Sequence, residues 1–278
     1  MGKKSRDLLN YTGMYSSYQL AKKYLHYYVN ARNGKGHGIH SPFVFDFVTN
    51  VLNDRHTYDC YGAIEALRKE LLRDHSTIET EDFGAGSAVS PVATRNVNAI
   101  ARSSLKNKKF AQLLFRIVNY YRPATVIELG TSFGITTCYM GCASKKSNVY
   151  TFEGSASIAR IALANFAKAG LQNIHLTIGK FEETLAPVLA VIPQADLVFV
   201  DGNHRKSATL DYFSFLRQKC VPASIFIFDD IHWSPEMEEA WEEIRQHALV
   251  TLTIDLFFMG LVFFNPAFKV KQHFTIRF

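Results

Sequence analysis

The second half of the chain alternates between short apolar runs and longer segments with helical spacing. The apolar runs are Thr125–Leu129, Val149–Phe152, Ile174–Ile178, Leu197–Val200 and Ser224–Phe228. Helical spacing follows, as in Ser157–Ala169 and Glu236–His247. Because an unbroken apolar strand is typical of burial on both faces, the pattern predicts a parallel sheet covered by helices. The predicted fold class is therefore a doubly wound α/β sheet.

The two ends of the chain depart from this alternation. Leu249–Leu256 and Leu261–Phe264 are joined through Met259-Gly260, which leaves no room for a crossover helix and predicts an antiparallel hairpin. Before residue 123 the pattern is helical and irregular, and a helix over Phe110–Tyr121 should stop before Pro123. We expect two domains, a mainly helical N-terminal lobe over residues 1–122 and the sheet domain over residues 123–278.

Composition narrows the class of protein. Hydrophobic residues make up 47% of the 278 positions, which excludes disorder throughout. The longest apolar stretch, Leu249–Phe264, is shorter than the roughly 20 residues of a spanning helix and is interrupted by Asp255, so no membrane span is expected. The N-terminus has no apolar stretch typical of a secretory signal, and four scattered cysteines predict reduced thiols. These features favour a cytoplasmic location.

The net charge of +6 is concentrated near the N-terminus, where residues 1–40 hold seven Lys and Arg against one Asp. A second basic run has no acidic residue between its ends and consists of Arg102, Lys106, Lys108, Lys109, Arg116 and Arg122. This run is compatible with an anionic substrate or a nucleic acid, and equally with a solvated helix face.

Candidate binding residues follow the predicted strands, because ligands of open α/β sheets bind at the carboxyl ends of the strands. The first turn contains Gly130 and Gly134, which permit a tight turn and close approach of a ligand. Its spacing differs from the Gly-x-Gly-x-x-Gly of nicotinamide dinucleotide sites. Glu153 follows 23 residues after Gly130, where an acidic side chain accepts hydrogen bonds from ribose hydroxyls. The alternative is a surface glutamate.

Three carboxylates follow the fourth and fifth predicted strands, namely Asp201, Asp229 and Asp230. Oxygen ligands at adjacent strand ends suit magnesium or another divalent cation. Without a metal, Asp229 and Asp230 would cap the next helix or bind substrate amines. His204 and His232 lie close to these carboxylates in the sequence.

The segments Val126–Gly134 and Thr151–Gly154 and the predicted hairpin resemble class I S-adenosylmethionine-dependent methyltransferases. The resemblance covers residues 110 to 264 and is strongest to the catechol and caffeoyl-coenzyme A O-methyltransferase group. It implies a seven-stranded Rossmann-like sheet that binds S-adenosylmethionine. The residues that it implies for cofactor binding are Glu128, Gly130, Thr131, Ser132, Gly134, Glu153, Gly154, Gly179, Lys180, Phe181 and Asp201.

The resemblance also implies roles for the carboxylates. In the metal-dependent enzymes of this group an aspartate and an Asp-Asn pair hold the metal, and these positions correspond to Asp201, Asp229 and Asp230, with Asp230 where asparagine is usual. These enzymes also have a lysine that takes the proton from the acceptor hydroxyl, and His204 stands at the corresponding position of this chain. Asp201 and His204 are therefore the expected catalytic residues, and His232 is a second candidate for the base.

The expected function is S-adenosylmethionine-dependent methylation, with oxygen of a small molecule as the acceptor atom. The N-terminal lobe would shape acceptor binding, with the loop over residues 36–43 and the segment Asp82–Ser87 as candidate covers of the pocket. One alternative is an RNA or other nucleic-acid methyltransferase, since the chain carries the two basic regions. Another is a cofactor-binding interaction protein without catalysis. The sequence is also compatible with a homodimer.

Overall fold

The computed structural model describes residues 13–36, 38–80 and 93–278. Ten α-helices are found there: α1 Ser17–Asn30, α2 Pro42–Phe47, α3 Cys60–Arg73, α4 Val97–Ser104, α5 Lys108–Tyr121, α6 Ile135–Ala143, α7 Ala156–Lys168, α8 Phe181–Val191, α9 Lys206–Leu216 and α10 Pro235–Gln246. A π-helical turn over Val48–Leu52 and a 3-10 turn over Arg217–Lys219 extend α2 and α9. His37 and the predicted segment Asp82–Ser87 lie outside the described residues.

The strands form two sheets. They are β1 Thr77–Thr80, β2 Ala93–Asn96, β3 Thr125–Leu129, β4 Asn148–Glu153, β5 Ile174–Ile178, β6 Ala195–Val200, β7 Cys220–Asp229, β8 Leu252–Asp255, β9 Met259–Phe263 and β10 Gln272–Thr275. Strands β1 and β2 make a small antiparallel pair, which the sequence pattern did not predict. The other eight form one sheet in the order β10-β8-β9-β7-β6-β3-β4-β5.

The doubly wound sheet and its antiparallel strand pair are confirmed. Strands β3 to β7 pair in parallel, while β9 pairs antiparallel with both β7 and β8. The expected number of seven strands is one too low, since β10 pairs in parallel with β8 at the edge of the sheet. Strand β10 has a single buried residue, Phe274, so it gives no apolar run by which a sequence pattern would reveal it.

The apolar strands are buried because helices cover both faces of the sheet. Alternate side chains of a strand point to opposite faces. On β6, Leu197 and Phe199 belong to a core cluster that includes residues of α3 and α5, whereas Val198 and Val200 belong to a second cluster with residues of α9 and α10. The central strands therefore have no solvent-facing side, and only their ends are available for binding.

The helices before Pro123 pack directly on the sheet. Phe47 and Phe263 lie in the same core cluster, with ring centroids 6.3 Å apart. Helix α5 ends at the predicted place, where Arg122 adopts a left-handed conformation with φ of 51°. The division into two domains at this point stays a prediction. Across the described ranges, no helix is both long enough and apolar enough to cross a membrane.

Candidate active site

A cavity of about 330 Å³ lies at the carboxyl ends of β3, β4, β6 and β7. Its volume is in the range of small-molecule sites. Seven residues predicted from the sequence line it: Gly130, Thr131, Ser132, Glu153, Asp201, His204 and Asp230. The structure thus brings together the glycine turn, the acid after the second strand of the parallel sheet and the two catalytic candidates.

Close packing explains both glycines of the turn between β3 and α6. A Cβ atom on Gly130, which has φ of +101°, would lie 2.0 Å from the backbone oxygen of Asp201. A Cβ atom on Gly134, with φ of +77°, would lie 2.3 Å from the ring of Phe166. Gly130 lines the cavity, whereas Gly134 allows α6 to pack on α7. Side chains would disrupt both approaches.

Glu153 is held by the turn that it faces. Its Oε2 accepts a hydrogen bond of 2.8 Å from the backbone N–H of Ser132, and its Oε1 accepts one of 2.9 Å from that of Ser155. Burial raises the pKa of Glu153, while these N–H donors oppose that rise. The carboxylate lines the cavity and is oriented by backbone groups.

Glu128 is placed differently from the expectation that it contacts a cofactor. Its side chain is fully buried and accepts hydrogen bonds from the hydroxyls of Thr136, Thr137 and Thr151 rather than lining the cavity. Burial raises its pKa to about 7, against the opposing effect of these hydroxyls. Glu128 therefore ties α6 and β4 to β3 beneath the glycine turn.

The remaining residues expected to bind the cofactor, Gly154 and the segment from Gly179 to Phe181, do not line the cavity. The backbone N–H of Gly179 donates to the carbonyl oxygen of Glu153 at 2.9 Å. Lys180 caps α8, and the Phe181 ring packs against Tyr212 with centroids 5.5 Å apart. Gly154 directly follows Glu153 on the same turn. Their contact with a cofactor stays a prediction.

Asp201, His204 and Asp229 place their potential ligand atoms within 4.8 Å of one another. His204 Nε2 lies 3.8 Å from Asp201 Oδ1. The Lys106 ammonium lies in the same group, hydrogen-bonded to Asp229 Oδ2 and 3.6 Å from Asp201 Oδ2. Burial opposes the charged form of Lys106, but the carboxylates of Asp201, Asp229 and Asp230 outweigh it and raise the lysine's pKa.

This arrangement does not fit the predicted divalent metal. The Lys106 ammonium already binds one oxygen of Asp229 and adjoins an oxygen of Asp201, two of the three expected ligands. A divalent cation among the same oxygens would meet a positive charge at about 4 Å, in a site whose Lys106 and Asp229 side chains are largely buried. Asp230, the third expected ligand, lines the cavity with a left-handed backbone of φ 52°, and burial raises its pKa.

The two candidate bases are separated by the fold. His204 lines the cavity, whereas His232 lies between two carboxylates outside its lining. His232 Nδ1 is 2.9 Å from Glu238 Oε1, and its Nε2 is 2.9 Å from Asp255 Oδ2. The geometry therefore favours His204 as the histidine that reaches an acceptor.

Sequence reasoning did not identify the part of the cavity wall that comes from the first 122 residues. Arg95 of β2, Ser103 and Ser104 of α4, and Lys106 of the following loop line the cavity. These residues follow no strand of the large sheet, so their place beside the strand ends was not predicted. The only signal was the basic run that includes Lys106.

Comparisons with known proteins agree with the fold. Residues 127–231 match the family model described as a methyltransferase domain. An O-methyltransferase from Bacillus cereus in complex with S-adenosylhomocysteine is 18% identical, with a TM-score of 0.55 over 80% of this chain and 97% of that chain. A methyltransferase from Podospora anserina with bound S-adenosylhomocysteine is 13% identical, with a TM-score of 0.56 over 81% and 97%.

A third similar structure is an O-methyltransferase from Streptomyces achromogenes involved in tomaymycin synthesis, in complex with S-adenosylmethionine. It is 16% identical, with a TM-score of 0.52 over 80% of this chain and 96% of that chain. The matched family region, residues 127–231, contains the glycine turn, Glu153, Asp201 and Asp229. Residues 127–231 therefore match a methyltransferase domain, and the chain shares its fold with structures that bind S-adenosylmethionine or S-adenosylhomocysteine.

Proposed function

We propose that the protein transfers the methyl group of S-adenosylmethionine to an oxygen atom of a small molecule. The observation that carries the proposal is a single cavity that joins the glycine turn and Glu153 to the Asp201–His204 pair. Two of the similar structures are O-methyltransferases, which supports oxygen as the acceptor atom.

We place the cofactor at the glycine turn. Gly130 lines the cavity there and allows the backbone of Asp201 to approach closely, and Thr131 and Ser132 continue the wall toward Glu153. We assign the carboxylate of Glu153 to the ribose hydroxyls, because its two oxygens are already oriented by backbone N–H groups. When bound, S-adenosylmethionine supplies a methyl group activated by a positively charged sulfur.

An acceptor hydroxyl must lose its proton as its oxygen attacks, and His204 is placed to take that proton. Its imidazole lines the cavity, and its Nε2 lies 3.8 Å from Asp201 Oδ1. His232 is engaged on both ring nitrogens by Glu238 and Asp255. We therefore propose His204 as the general base and Asp201 as its partner.

The walls of the cavity favour a small acceptor over a nucleic acid. Arg95, Ser103 and Ser104 enclose one side, and the volume of about 330 Å³ suits a small molecule. Two members of the basic run face inward, because Lys106 binds Asp229 and Arg116 donates to the backbone oxygen of Asp54. The run is therefore not a continuous exposed basic face. A homodimer and a cytoplasmic location stay predictions from the sequence.

Calorimetric titration with S-adenosylhomocysteine tests the cofactor assignment without an acceptor. We expect micromolar binding at one site per chain. A folded sample that does not bind would overturn the proposal. A panel of phenols, catechols and alcohols then tests turnover, which His204→Ala should lower by about 10² to 10⁴-fold without changing cofactor affinity. Binding without turnover across the panel would favour the non-catalytic alternative.

A further inference from the structure

The Lys106 side chain places a positive charge between the carboxylates of Asp201 and Asp229. The Asp229 side chain is 0% exposed, and the Lys106 side chain, at 15% exposure, donates to its Oδ2. Asp201 Oδ2 lies 3.6 Å from the same ammonium. Asp229 Oδ1 has no partner among the described residues, so Lys106 provides the only hydrogen bond that this buried carboxylate makes there.

The loop that carries Lys106 is anchored on both sides. The Arg68 guanidinium of α3 donates to the backbone oxygen of Lys106 at 2.8 Å. Two residues earlier, the Ser104 hydroxyl lies 2.8 Å from that of Ser132 in the glycine turn. The ammonium therefore has a fixed position at the junction of the N-terminal helices, the glycine turn and the ends of β6 and β7.

Lys106 also reaches the space in which an acceptor would react. It lines the cavity together with Asp201 and His204. A fixed cation in a site shielded from water stabilises negative charge that develops on a reacting oxygen, and it needs no rearrangement at the moment of reaction. In metal-assisted enzymes a divalent ion performs this task.

We infer that Lys106 is the built-in cation of this active site, in place of a divalent metal, and that its ammonium stabilises the acceptor oxygen as His204 removes the proton. This inference rests on the proposed function. The hydroxyl proton passes to His204, and the acceptor oxygen bonds to the methyl carbon. The bond from that carbon to the cofactor sulfur breaks, and its electron pair stays on sulfur.

Binding of Mn²⁺ tests whether the Lys106 ammonium occupies the place of a metal ion. The electron paramagnetic resonance signal of free Mn²⁺ measures that binding. We expect the full chain to bind Mn²⁺ no better than a surface acidic cluster, with a dissociation constant of about 1 mM or weaker. Lys106→Met should bind Mn²⁺ at least about tenfold more tightly, because the carboxylates lose their cation. Lys108→Met, which changes an exposed lysine two residues away, should behave as the wild type.

Lys106→Met leaves Asp229 buried without a partner and could fail to fold for that reason. A second variant is therefore the control for misfolding. The pair Lys106→Met and Asp229→Asn removes both charges and should fold without gaining tight Mn²⁺ binding. Stoichiometric micromolar Mn²⁺ binding by the wild type that is lost in Asp201→Asn would overturn the inference. Titration with S-adenosylhomocysteine distinguishes failure of this inference from failure of the proposed function. Absence of binding would overturn the proposed function.

The role toward the acceptor oxygen is tested with 4-nitrophenol, whose anion absorbs visible light. With S-adenosylhomocysteine bound, the wild type should lower the pKa of bound 4-nitrophenol by about one unit or more, and Lys106→Met should abolish that shift. Lys106→Arg should retain part of it, and Lys108→Met all of it. The absence of a shift in the wild type, or equal shifts in wild type and Lys106→Met, would overturn this role.

Discussion

The backbone N–H of Ser132 and the carboxylate of Glu153 are joined by a hydrogen bond of 2.8 Å. Ser132 lies in the turn after β3, and Glu153 is the last residue of β4, the neighbouring strand. The contact aligns two segments separated by 21 positions and turns the second oxygen of the carboxylate toward Ser155. One side chain thus organises the glycine turn and lines the cavity beside it.

Replacement of Glu153 by alanine should weaken binding of S-adenosylhomocysteine by about 10 to 100-fold. The variant loses hydrogen bonds from the ligand to a charged acceptor, which contribute roughly 1.5 to 3 kcal/mol. Isothermal titration calorimetry measures the change. Glu153→Gln should lie between the wild type and the alanine variant, because an amide retains one acceptor oxygen.

The matched control for this prediction is Glu236→Ala, which removes an exposed glutamate in the first turn of α10. It should leave the affinity unchanged. Equal affinities of Glu153→Ala and the wild type would show that the ribose does not bind at this carboxylate.

Gly130→Ala should lower the free energy of unfolding by about 3 kcal/mol or more. The new Cβ would lie 2.0 Å from the backbone oxygen of Asp201, and φ of +101° is unfavourable for alanine. Both strands that carry the site would have to shift. Urea unfolding followed by circular dichroism measures the loss, and cofactor binding should weaken at the same time.

Gly62→Ala serves as the comparison, because nothing lies within 4 Å of a Cβ at this helical position in α3. It should raise the free energy of unfolding by about 0.5 to 1 kcal/mol. A similar effect of the two substitutions would contradict the close approach at Gly130.

The sheet could be predicted from the sequence because its strands are buried on both faces. Thr125–Leu129 was predicted with its observed bounds, and every one of its residues is buried. Short strands with polar alternation gave no such signal. Thr77–Thr80 and Ala93–Asn96 form their pair largely exposed, and Gln272–Thr275 adds an eighth strand at the edge.

The sequence predicted the site residues at the strand ends better than those in the part of the cavity wall that comes from the first 122 residues. Glu153 ends one strand and His204 follows another, so sequence order alone places them at one edge of the sheet. Lys106 comes from a loop before the sheet begins, and only tertiary packing carries it to Asp229. Three carboxylates alone predicted a metal site, and a sequence pattern does not reveal that the Lys106 ammonium lies among them.

The buried carboxylate of Glu128 should make stability depend on pH. Its pKa is raised from 4.5 to about 7 by burial, so the folded state binds the proton more tightly than the unfolded chain. Stability from this group is therefore present at low pH and lost as the pH rises from about 4.5 through about 7. Relative to that of Glu128→Gln, the free energy of unfolding of the wild type should fall by up to about 3 kcal/mol between pH 5 and pH 8.

Urea unfolding of both proteins at the two pH values measures this difference, and Glu236→Gln reports the change expected for an exposed glutamate. Retention of a constant difference between wild type and Glu128→Gln at pH 5 and pH 8 would mean that Glu128 is ionised throughout.

His232 should contribute to stability with a pH dependence set by its two carboxylate partners. Burial favours the neutral ring, but hydrogen bonds and charge from Asp255 and Glu238 outweigh it and raise the pKa of His232 above 6.5. The folded state therefore binds the proton more tightly. Its stabilisation is fully present below about pH 6.5 and is lost as the pH rises through the raised pKa.

His232→Gln should accordingly destabilise the protein by about 1 to 3 kcal/mol at pH 6 and by less at pH 9, since hydrogen bonds to charged groups are lost only where the ring is protonated. Urea unfolding at both pH values measures this, and His26→Gln, on the exposed side of α1, should show no such change. Glu238 also binds Lys23 of α1 and Tyr15, which precedes that helix. The susceptibility of α1 to limited proteolysis should therefore follow the same pH dependence. A cost of His232→Gln that is larger at pH 9 than at pH 6 would contradict the assigned charge state.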